Sequence, residues 1–435
     1  MKEKSFKSLR EKYPKFHFLN FEFEVQENCV FMQFFFQTNE LLFAPKMTLK
    51  LGKYAQKLNP NEINGLVFNI GLIEMVSYWK ATCSPQIIIH NYTLDTVQQN
   101  WWKKIYYKGL GEFFYKNEIK CTLHDFVQFS FSNDAKHYSK LLFKEIKTSQ
   151  KVIVPIGGGK DSVVTLEELR RERELIPFII NPRGATLDCA HVAGFNTLND
   201  IVILEREIDE RLLDCNKQGF LNGHTPFSAM LAFYTLLVSY GTGARDIALS
   251  NEASANEATV LGTEINHQYS KSLEFEKDFQ IYVQNYMKNC ACYYSYLRSY
   301  SELQIAEKFA EYPQYFSVFR SCNAGSKENR WCCNCPKCLF AYIILAPFIN
   351  KDTRLQIFGE DLLNKPEMAH FFYQLIGKEA TKPFECVGTV AEVTEAVNML
   401  LHQKEKGYLL DRYAVDYKDY QGLSLLTFPF SREYF

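Results

Sequence analysis

The chain has 435 residues and a formal net charge of −1, with 47% hydrophobic and 23% charged residues. This length allows two or three domains with a large core, and the composition is typical of a soluble globular protein. A nearly neutral chain argues against a dedicated nucleic-acid-binding protein, although it leaves a local basic patch open.

Targeting and membrane segments are not evident in the sequence. The N-terminus, Met1-Lys2-Glu3-Lys4-Ser5, leads into no apolar segment of the kind that secretory signals carry. The most apolar run, residues 339–349, has eleven residues, which is too short to span a bilayer. We therefore expect a cytoplasmic protein that binds no membrane and whose 13 cysteines are reduced thiols.

Residues 1–148 carry no motif of known chemistry. Residues 16–23 and 30–36 are predicted strands, and residues 98–115 a predicted helix. Residues 64–79 are apolar throughout, which indicates a buried helix or a strand–helix pair. The sequence therefore predicts an α+β domain that serves as a scaffold or recognises a substrate.

A glycine-rich segment follows at a predicted strand-to-helix turn. Residues 152–156 form a β-branched run that predicts a buried strand, and residues 163–171 have the apolar spacing of a helix. Between them lie Gly157, Gly158, Gly159, Lys160, Asp161 and Ser162. Glycines let backbone N–H groups approach an anion closely, and the helix N-terminus adds unpaired donors and its dipole. These features favour a phosphate-binding loop over an ordinary glycine-rich turn.

Two common phosphate loops do not match this segment. A Walker loop needs Ser or Thr directly after its Lys, whereas this chain has Asp161 there. A dinucleotide fingerprint needs a third glycine where Ser162 stands.

From residue 149 onward the pattern is α/β, with further strands predicted at residues 175–181, 201–204 and 246–249. Ligands of open α/β sheets lie beyond the carboxyl ends of the strands. Asn181 and Arg183 are therefore candidate nucleotide contacts, with a plain turn as the alternative.

A polar cluster follows the strand at residues 246–249. Metal binding, ribose contact and substrate contact all fit its side chains, and so does a solvated loop. Its candidate binding residues are Asn251, Glu252, Asn256 and Glu257.

Three other polar segments bring groups that can carry a proton. His224 precedes a predicted helix, with Thr225 as N-cap, Pro226 as first helical residue and Gly241 as its end. His267 and Lys271 lie in a second polar cluster before an amphipathic helix. The loop at residues 382–389 holds Lys382, Glu385 and Cys386 before a helix that Thr389 can cap, and an ordinary helix connection is the alternative. Beyond residue 349 the pattern is helical.

A cysteine cluster lies between these segments. Cys332, Cys335 and Cys338 have metal-ligand spacing, and Cys322 lies ten positions upstream. Four thiolates fill a tetrahedral site, so we favour a structural zinc ion. The alternative is a set of buried thiols without a metal. Cys333 is an alternative to Cys332 as a ligand.

The glycine-rich loop resembles the Ser-Gly-Gly-x-Asp-Ser loop of the PP-loop ATP pyrophosphatases. The first Ser of that loop is Gly157 here, which removes one hydroxyl donor but keeps the backbone cradle, Asp161 and Ser162. In that superfamily the loop holds the β- and γ-phosphates while ATP is cleaved between the α- and β-phosphates. A four-cysteine cluster also follows the loop in the 7-cyano-7-deazaguanine synthases of this superfamily.

Together the motifs resemble one family, the MurL-type ATP-dependent UDP-N-acetylmuramoyl-L-alanyl-L-glutamate epimerases of bacterial peptidoglycan synthesis. The motifs are the glycine-rich loop, residues 222–228, 250–257, 266–272 and 382–388, and the cysteine cluster. The resemblance implies a PP-loop α/β domain over residues 149–310, a parallel sheet with helices on both faces. A zinc segment at 311–350 and a helical region at 351–435 would follow.

The resemblance also implies a reaction. Transfer of AMP to the glutamate α-carboxylate removes its charge and makes the Cα proton removable, and reprotonation from the other face inverts the centre. The implied cofactors are ATP, Mg²⁺ and structural Zn²⁺, and the implied substrate is a small UDP-muramoyl dipeptide. Candidate catalytic residues are Asp161, His224, His267, Lys271 and Cys386, with Cys386 and His267 ranked first for proton transfer.

Two alternatives remain open at this point. One is another adenylating PP-loop enzyme, such as a deazaguanine synthase or a tRNA-thiolation enzyme. The other is a non-catalytic nucleotide-binding module. The sequence does not determine the oligomeric state.

Overall fold

The computed structural model describes residues 5–260 and 262–416. The strands are β1 (Lys15–Gln26), β2 (Cys29–Thr38), β3 (Leu41–Phe43), β4 (Lys46–Lys50), β5 (Gln86–Ile89), β6 (Tyr92–Thr93), β7 (Gln128–Phe131), β8 (Lys136–His137), β9 (Lys151–Pro155), β10 (Glu174–Ile180), β11 (Val202–Glu207), β12 (Asp246–Leu249) and β13 (Cys292–Ser295).

The α-helices cover both halves of the chain and dominate its C-terminal part. They are α1 (Phe6–Lys12), α2 (Pro60–Trp79), α3 (Thr96–Gly109), α4 (Gly111–Lys116), α5 (Lys160–Leu169), α6 (Ala185–Val192), α7 (Glu210–Lys217), α8 (Phe227–Thr242), α9 (Leu273–Tyr286), α10 (Glu302–Ala310), α11 (Pro336–Leu345), α12 (Lys351–Phe358), α13 (Ala369–Leu375), α14 (Val390–His402) and α15 (Tyr408–Asp416).

The central strands are buried on both faces. In β9, Ile153 belongs to one hydrophobic core, while Val152 and Val154 belong to a second core on the other face. This follows from the strand geometry, in which successive side chains point to opposite faces. Helix α8 packs in the first core and α5 in the second, so helices cover both faces. The predicted α/β class is confirmed.

One mixed sheet runs through the chain in the order β13-β12-β9-β10-β11-β4-β2-β1-β5-β7, with β3 beside β2. Strands β13 to β11 are mutually parallel. The pairs β11–β4, β4–β2, β2–β1 and β2–β3 are antiparallel, so the predicted parallel sheet is only one part of a larger mixed one.

The junction between β11 and β4 joins strands from both sides of residue 148. It pairs residues from Ile203 with Lys50 to Glu207 with Lys46. The sheet is therefore continuous across this position, while the division of the chain into domains stays a prediction.

The predicted N-terminal strands are confirmed as β1 and β2. Residues 64–79 lie within the single helix α2, whose residues 65–79 are all buried. Residues 98–115 form two helices, because α3 ends at Gly109 and α4 begins at Gly111. A Cβ on Gly109 would lie 2.8 Å from Pro226, so this glycine permits a close approach of two segments.

The predicted ends of α8 were wrong at both termini. Pro226 is its N-cap, and the Thr225 hydroxyl instead accepts a hydrogen bond from Lys80 Nζ at 2.7 Å. The helix continues past Gly241 to Gly243, which adopts the left-handed conformation (φ 69°) that favours glycine at a helix end. Gly241 has another role, because a Cβ there would lie 2.7 Å from Leu51.

The helical C-terminal prediction holds for α12 to α15, while its residues 417–435 lie outside the described residues. Thr389 is the N-cap of α14, as predicted, and accepts a hydrogen bond from the Glu392 amide. Among the described helices, none is both long and apolar enough to cross a membrane.

A buried ion pair fixes α2 against β11. The Arg206 guanidinium donates to both oxygens of Glu74, at 2.7 to 3.1 Å, and the Tyr234 hydroxyl donates to the same carboxylate at 3.1 Å. Glu74 is fully buried. Buried charges are tolerated only when they are paired and hydrogen-bonded, so this pair ties the N-terminal half to the sheet.

We expect Glu74→Ala to lower the free energy of unfolding by about 3–5 kcal/mol, because it leaves the Arg206 charge buried without a partner. Urea denaturation measures the change. The control is Asp214→Ala, which removes an exposed pair with Lys217 and should change the free energy of unfolding by less than about 0.5 kcal/mol. Equal effects of the two substitutions would contradict the role of the buried pair.

Candidate active site

The glycine-rich loop forms an open cradle at the start of α5. Gly158 has φ +78°, and a Cβ there would lie 2.8 Å from the Ala185 carbonyl carbon, so the position requires glycine. A Cβ on Gly157 would meet no described atom within 4 Å, which leaves the front of the loop accessible. Gly159 is the N-cap of α5, whose unpaired N–H groups suit an anion.

A buried cluster of charge lies directly behind this loop. The Lys160 ammonium pairs with Asp161 and with Glu302, the first residue of α10. Burial raises the pKa of Glu302 to about 8, although Lys160 opposes this. Burial also favours protonation of Asp161, but Lys160 outweighs it and the pKa of Asp161 is lowered. The Ser162 hydroxyl donates to the Gly159 carbonyl at 2.9 Å.

Asn181 and Arg183 lie at the carboxyl end of β10. The Asn181 side-chain oxygen accepts a hydrogen bond from the Arg206 backbone N–H at 2.7 Å, and its Nδ2 donates to the Arg206 carbonyl at 3.0 Å. This side chain therefore joins β10 to β11. The Arg183 side chain is exposed beside the loop. Their contact with a nucleotide stays a prediction.

The four polar residues after β12 have different surroundings. Asn251 is buried and donates to Ser295 Oγ at 3.0 Å, and Glu252 is buried and accepts from Ser254 Oγ at 3.2 Å. Asn256 is exposed, and its carbonyl oxygen accepts the first amide of α9 at 2.9 Å. Glu257 pairs with Lys382, which connects this loop to residues 382–389. Of these four residues, Glu252 lies close enough to the buried charge cluster for its negative charge to raise the pKa of Glu302.

Cys386 lies at the centre of a second cluster, which we call the thiol cluster: Cys386, His267 and Lys271. The Cys386 side chain makes hydrogen bonds with those of His267 and Lys271. Lys337 donates to the Cys386 backbone carbonyl. Although Cys386 lies far from His267 and Lys271 in the sequence, the fold brings together these three predicted catalytic side chains.

The thiol cluster is held in a charged state. Burial raises the pKa of the Cys386 thiol, but Lys271, His267 and Lys337 outweigh it and lower the pKa to about 6. Burial disfavours the charged form of His267, but Cys386 and Glu112 raise its pKa to about 9. Near neutral pH the pair is therefore a thiolate and an imidazolium.

The two clusters are neighbours. Among the charges that lower the pKa of Asp161 are those of Lys337 and Lys271, which face Cys386. The Glu302 amide also donates to Glu392 at 2.8 Å, and Glu392 forms the capping box with Thr389 at the end of the Cys386 loop. The phosphate loop and the thiol cluster thus form a single site.

The predicted catalytic residue His224 lies beside His267, with ring centroids 4.4 Å apart. Burial and the charge of His267 lower the pKa of His224 to about 3, so it is neutral. Sequence reasoning missed Glu112, Glu302 and Lys337. A Ser301–Gln304 capping box marks the helix that begins at Glu302, but no local pattern marks the other two.

Comparison with known proteins shows the family. A family model for the MurL N-terminal domain matches residues 7–296, and one for the MurL C-terminal domain matches residues 318–415. The chain belongs to the MurL family. The resemblance stated from its motifs is confirmed, while these matches do not test membership of the PP-loop superfamily.

Three curated proteins with similar sequences each carry the name UDP-N-acetyl-alpha-D-muramoyl-L-alanyl-L-glutamate epimerase. The protein from Xanthomonas oryzae pv. oryzae is 36% identical over 346 residues, which are 77% of this chain and 74% of that protein. The protein from Micromonospora sp. is 33% identical, with 76% and 73% covered. The protein from Salinispora tropica is 34% identical, with 76% and 72% covered.

The site is assembled from both matched regions of the MurL family. The phosphate loop, His267 and Lys271 lie within residues 7–296, and Lys337 and Cys386 within residues 318–415. The connecting segment contains Glu302, which contacts both regions through Lys160 and Glu392. Neither region alone contains the complete site.

The predicted cysteine cluster is also present. The sulfur atoms of Cys322, Cys332, Cys335 and Cys338 all lie within 4.8 Å of one another. The sulfur of Cys322 is 3.8 Å from that of Cys335, and the sulfur of Cys332 is 3.7 Å from that of Cys338. Tetrahedral zinc with Zn–S bonds of about 2.3 Å places sulfurs about 3.8 Å apart, so this set fits zinc. The alternative ligand, Cys333, instead donates to the Phe358 carbonyl at 3.1 Å.

We expect the purified protein to hold one structural zinc ion per chain at these four thiols. Cys335→Ser should lose the metal and lower Tm, because a closed four-thiolate site stabilises the segment that it ties together. Elemental analysis and thermal unfolding measure both effects. Cys333→Ser is the matched control and should keep its zinc; metal-free wild-type protein would refute the site.

Proposed function

We propose that this chain catalyses the ATP-dependent epimerisation of the terminal L-Glu of UDP-N-acetylmuramoyl-L-Ala-L-Glu to D-Glu in peptidoglycan biosynthesis. The α-carboxylate becomes an acyl-adenylate, and AMP and diphosphate are released. The observation that carries this proposal is the proximity of the glycine-rich loop to the thiol cluster, since the charge of Lys271 acts on both Asp161 and Cys386. The names of the MurL relatives support the substrate.

The loop side of the site supplies activation. The backbone of Gly157 to Gly159 and the N-terminus of α5 would bind the phosphates, and Lys160 adds a positive charge beside them. Asp161, Glu252 and Glu302 offer carboxylate oxygens that suit Mg²⁺, which would offset the charge of the departing diphosphate. In the PP-loop assignment, which we retain as part of the proposal, ATP is cleaved between its α- and β-phosphates.

The thiol cluster supplies proton transfer. Adenylation removes the carboxylate charge, so the neighbouring Cα proton becomes acidic enough for a protein base. Cys386 as a thiolate can accept this proton, and His267 as an imidazolium can donate one. The positive charge of Lys271 favours the thiolate. Cys386 and His267 are the residues to which we assign the inversion.

The alternatives have less support. Neither a deazaguanine synthase, a tRNA-thiolation enzyme nor a nucleotide sensor is named among the relatives, and a sensor has no need of a thiolate–imidazolium pair. The substrate is a small molecule, with no nucleic acid or membrane as partner. We place the reaction in the cytoplasm, in keeping with cysteines that are thiols rather than disulfides.

We expect Asp161→Ala to abolish ATP cleavage while the fold stays intact. The carboxylate lies in the first turn of α5, where it can reach a phosphate-bound Mg²⁺, and its side chain has no part in the core. Diphosphate release with the UDP-muramoyl dipeptide as acceptor measures the effect. Glu172→Ala, at an exposed position just after α5, is the control. Diphosphate release at the wild-type rate in Asp161→Ala would contradict the assignment of this loop as a PP-loop.

We expect turnover in D₂O to place deuterium at Cα of the D-Glu product, because the removed proton exchanges with solvent. A single base serving both faces returns some of the original proton, whereas two bases give nearly full labelling. Mass spectrometry of the product measures the label. Product formed without ATP, or without deuterium, would show that inversion does not proceed through the adenylate.

The same assay separates activation from inversion. Cys386→Ala should still release AMP and diphosphate through hydrolysis of the uninverted adenylate, while deuterium uptake is lost. Cys29→Ala, in the distant strand β2, is the matched control and should retain both activities.

A further inference from the structure

Glu112 brings a carboxylate from the N-terminal 148 residues into the site. It lies on α4 and is buried, with 5% of its surface exposed. One of its oxygens lies 2.5 Å from Nδ1 of His267, and Lys116 pairs with the other oxygen. Glu112 thus contacts His267 at the Nδ1 edge of its ring.

The hydrogen-bond partners of His267 determine its protonation. Its Nδ1 faces the Glu112 carboxylate, which can only accept, and its other nitrogen remains for the Cys386 sulfur. A neutral imidazole carries one N–H and can donate to only one of two acceptors. Two acceptors, a carboxylate and a thiolate, therefore require the imidazolium.

We propose that Glu112 is the positioning residue of this site: it orients His267 and keeps it an imidazolium against Cys386, so that Cys386 is a thiolate before substrate is activated. This inference rests on the proposed function and gives the N-terminal part of the chain a role in it. The site then begins each turnover with Cys386 as a base, in its thiolate form, and His267 as an acid, in its imidazolium form.

The proton balance closes within this pair. The Cys386 thiolate takes the Cα proton and becomes a thiol, while the electron pair moves into the activated carbonyl group. The His267 imidazolium returns a proton to Cα and becomes neutral. After the S–H and N–H protons have exchanged with solvent, transfer of a proton from the thiol to the imidazole restores the starting pair. Glu112 stays ionised throughout.

The other charges around the pair agree with this assignment. Burial favours protonation of Glu112, but His267 and Lys116 outweigh it and lower its pKa to about 2. The ionisable groups that act on these three residues are Lys80, Lys116, His224, Lys271, Lys337 and Glu385. His224 is neutral, so among these groups the pair contains a single imidazolium.

The same side chains could also be arranged for a metal ion, since ligand atoms of Glu112, His224 and His267 lie within 4.8 Å of one another. Two contacts favour the positioning role instead. Lys116 pairs with the second oxygen of Glu112, and the His267 side chain also interacts with Cys386. Metal binding is therefore an outcome that the experiment must separate.

The test is Glu112→Gln in the full-length protein, with Glu118→Gln, exposed just beyond the same helix, as the matched control. Iodoacetamide alkylation of Cys386 is followed by peptide mass spectrometry as a function of pH. In the wild type the rate should be half-maximal near pH 6, the pKa of the thiol. Glu112→Gln should raise this midpoint by about one pH unit or more, toward the value of an ordinary thiol. Glu118→Gln should leave it unchanged.

Activity supplies the second measurement. Glu112→Gln should lower kcat for D-Glu formation by about tenfold or more, as expected for damaged acid–base catalysis, while KM for ATP stays near that of the wild type. Glu112→Asp keeps the charge but withdraws it by one methylene. It should give an intermediate midpoint, and it serves as the test if Glu112→Gln does not fold.

Each outcome decides the proposal. An unchanged midpoint in folded Glu112→Gln, or a raised midpoint with unchanged kcat, overturns it. So does a second metal ion, beyond that of the cysteine cluster, that is lost in Glu112→Gln but not in Glu118→Gln. Alkylation needs no turnover, so a raised midpoint in a chain that forms no D-Glu would refute the proposed function and leave the coupling of Glu112 to Cys386 intact.

Discussion

The pairing of buried charge is the constraint on which this site depends. Lys160 lies between Asp161 and Glu302, and His267 lies between Glu112 and Cys386. Charged groups removed from water are costly unless each has a partner, so every charge placed in this cleft requires a second one nearby. The result is two adjacent networks. One holds Lys160 with its two carboxyl partners behind the glycine-rich loop, and the other holds a thiolate and an imidazolium that keep their charge because they are paired.

This arrangement explains why the protein needs so large a mixed sheet. The parallel strands place the phosphate loop at their carboxyl edge, where α/β proteins bind ligands. The antiparallel β11–β4 junction adds the N-terminal strands, and the buried Arg206–Glu74 pair locks α2 against that junction. The N-terminal helix α4 brings Glu112 to His267. The C-terminal region contributes Cys386.

The two family regions matched in this chain agree with a site built from both parts of the sequence. The two matched regions meet within the site, and the cysteine cluster lies where the C-terminal region begins. Cys335 and Cys338 lie on either side of Lys337, which donates to the Cys386 carbonyl, so a metal at the cysteines would also fix a neighbour of the thiol. The candidate metal site and the Cys386 thiol are thus connected through one short segment.

The sequence by itself determined what depends on local spacing. The strand–glycine–helix pattern located the glycine-rich turn before α5, the cysteine spacing located the four thiols, and Thr389 marked the start of α14, because each feature involves residues within a few turns of one another. The same reasoning missed Glu112, 155 positions from His267, and Glu302, 142 positions from Lys160. It also placed the end of α8 at Gly241, since a glycine required for packing against Leu51 resembles one required for a helix end. Only the tertiary structure decided which acids face which bases, because pairing across the fold depends on where strands and helices meet, and no local pattern records that.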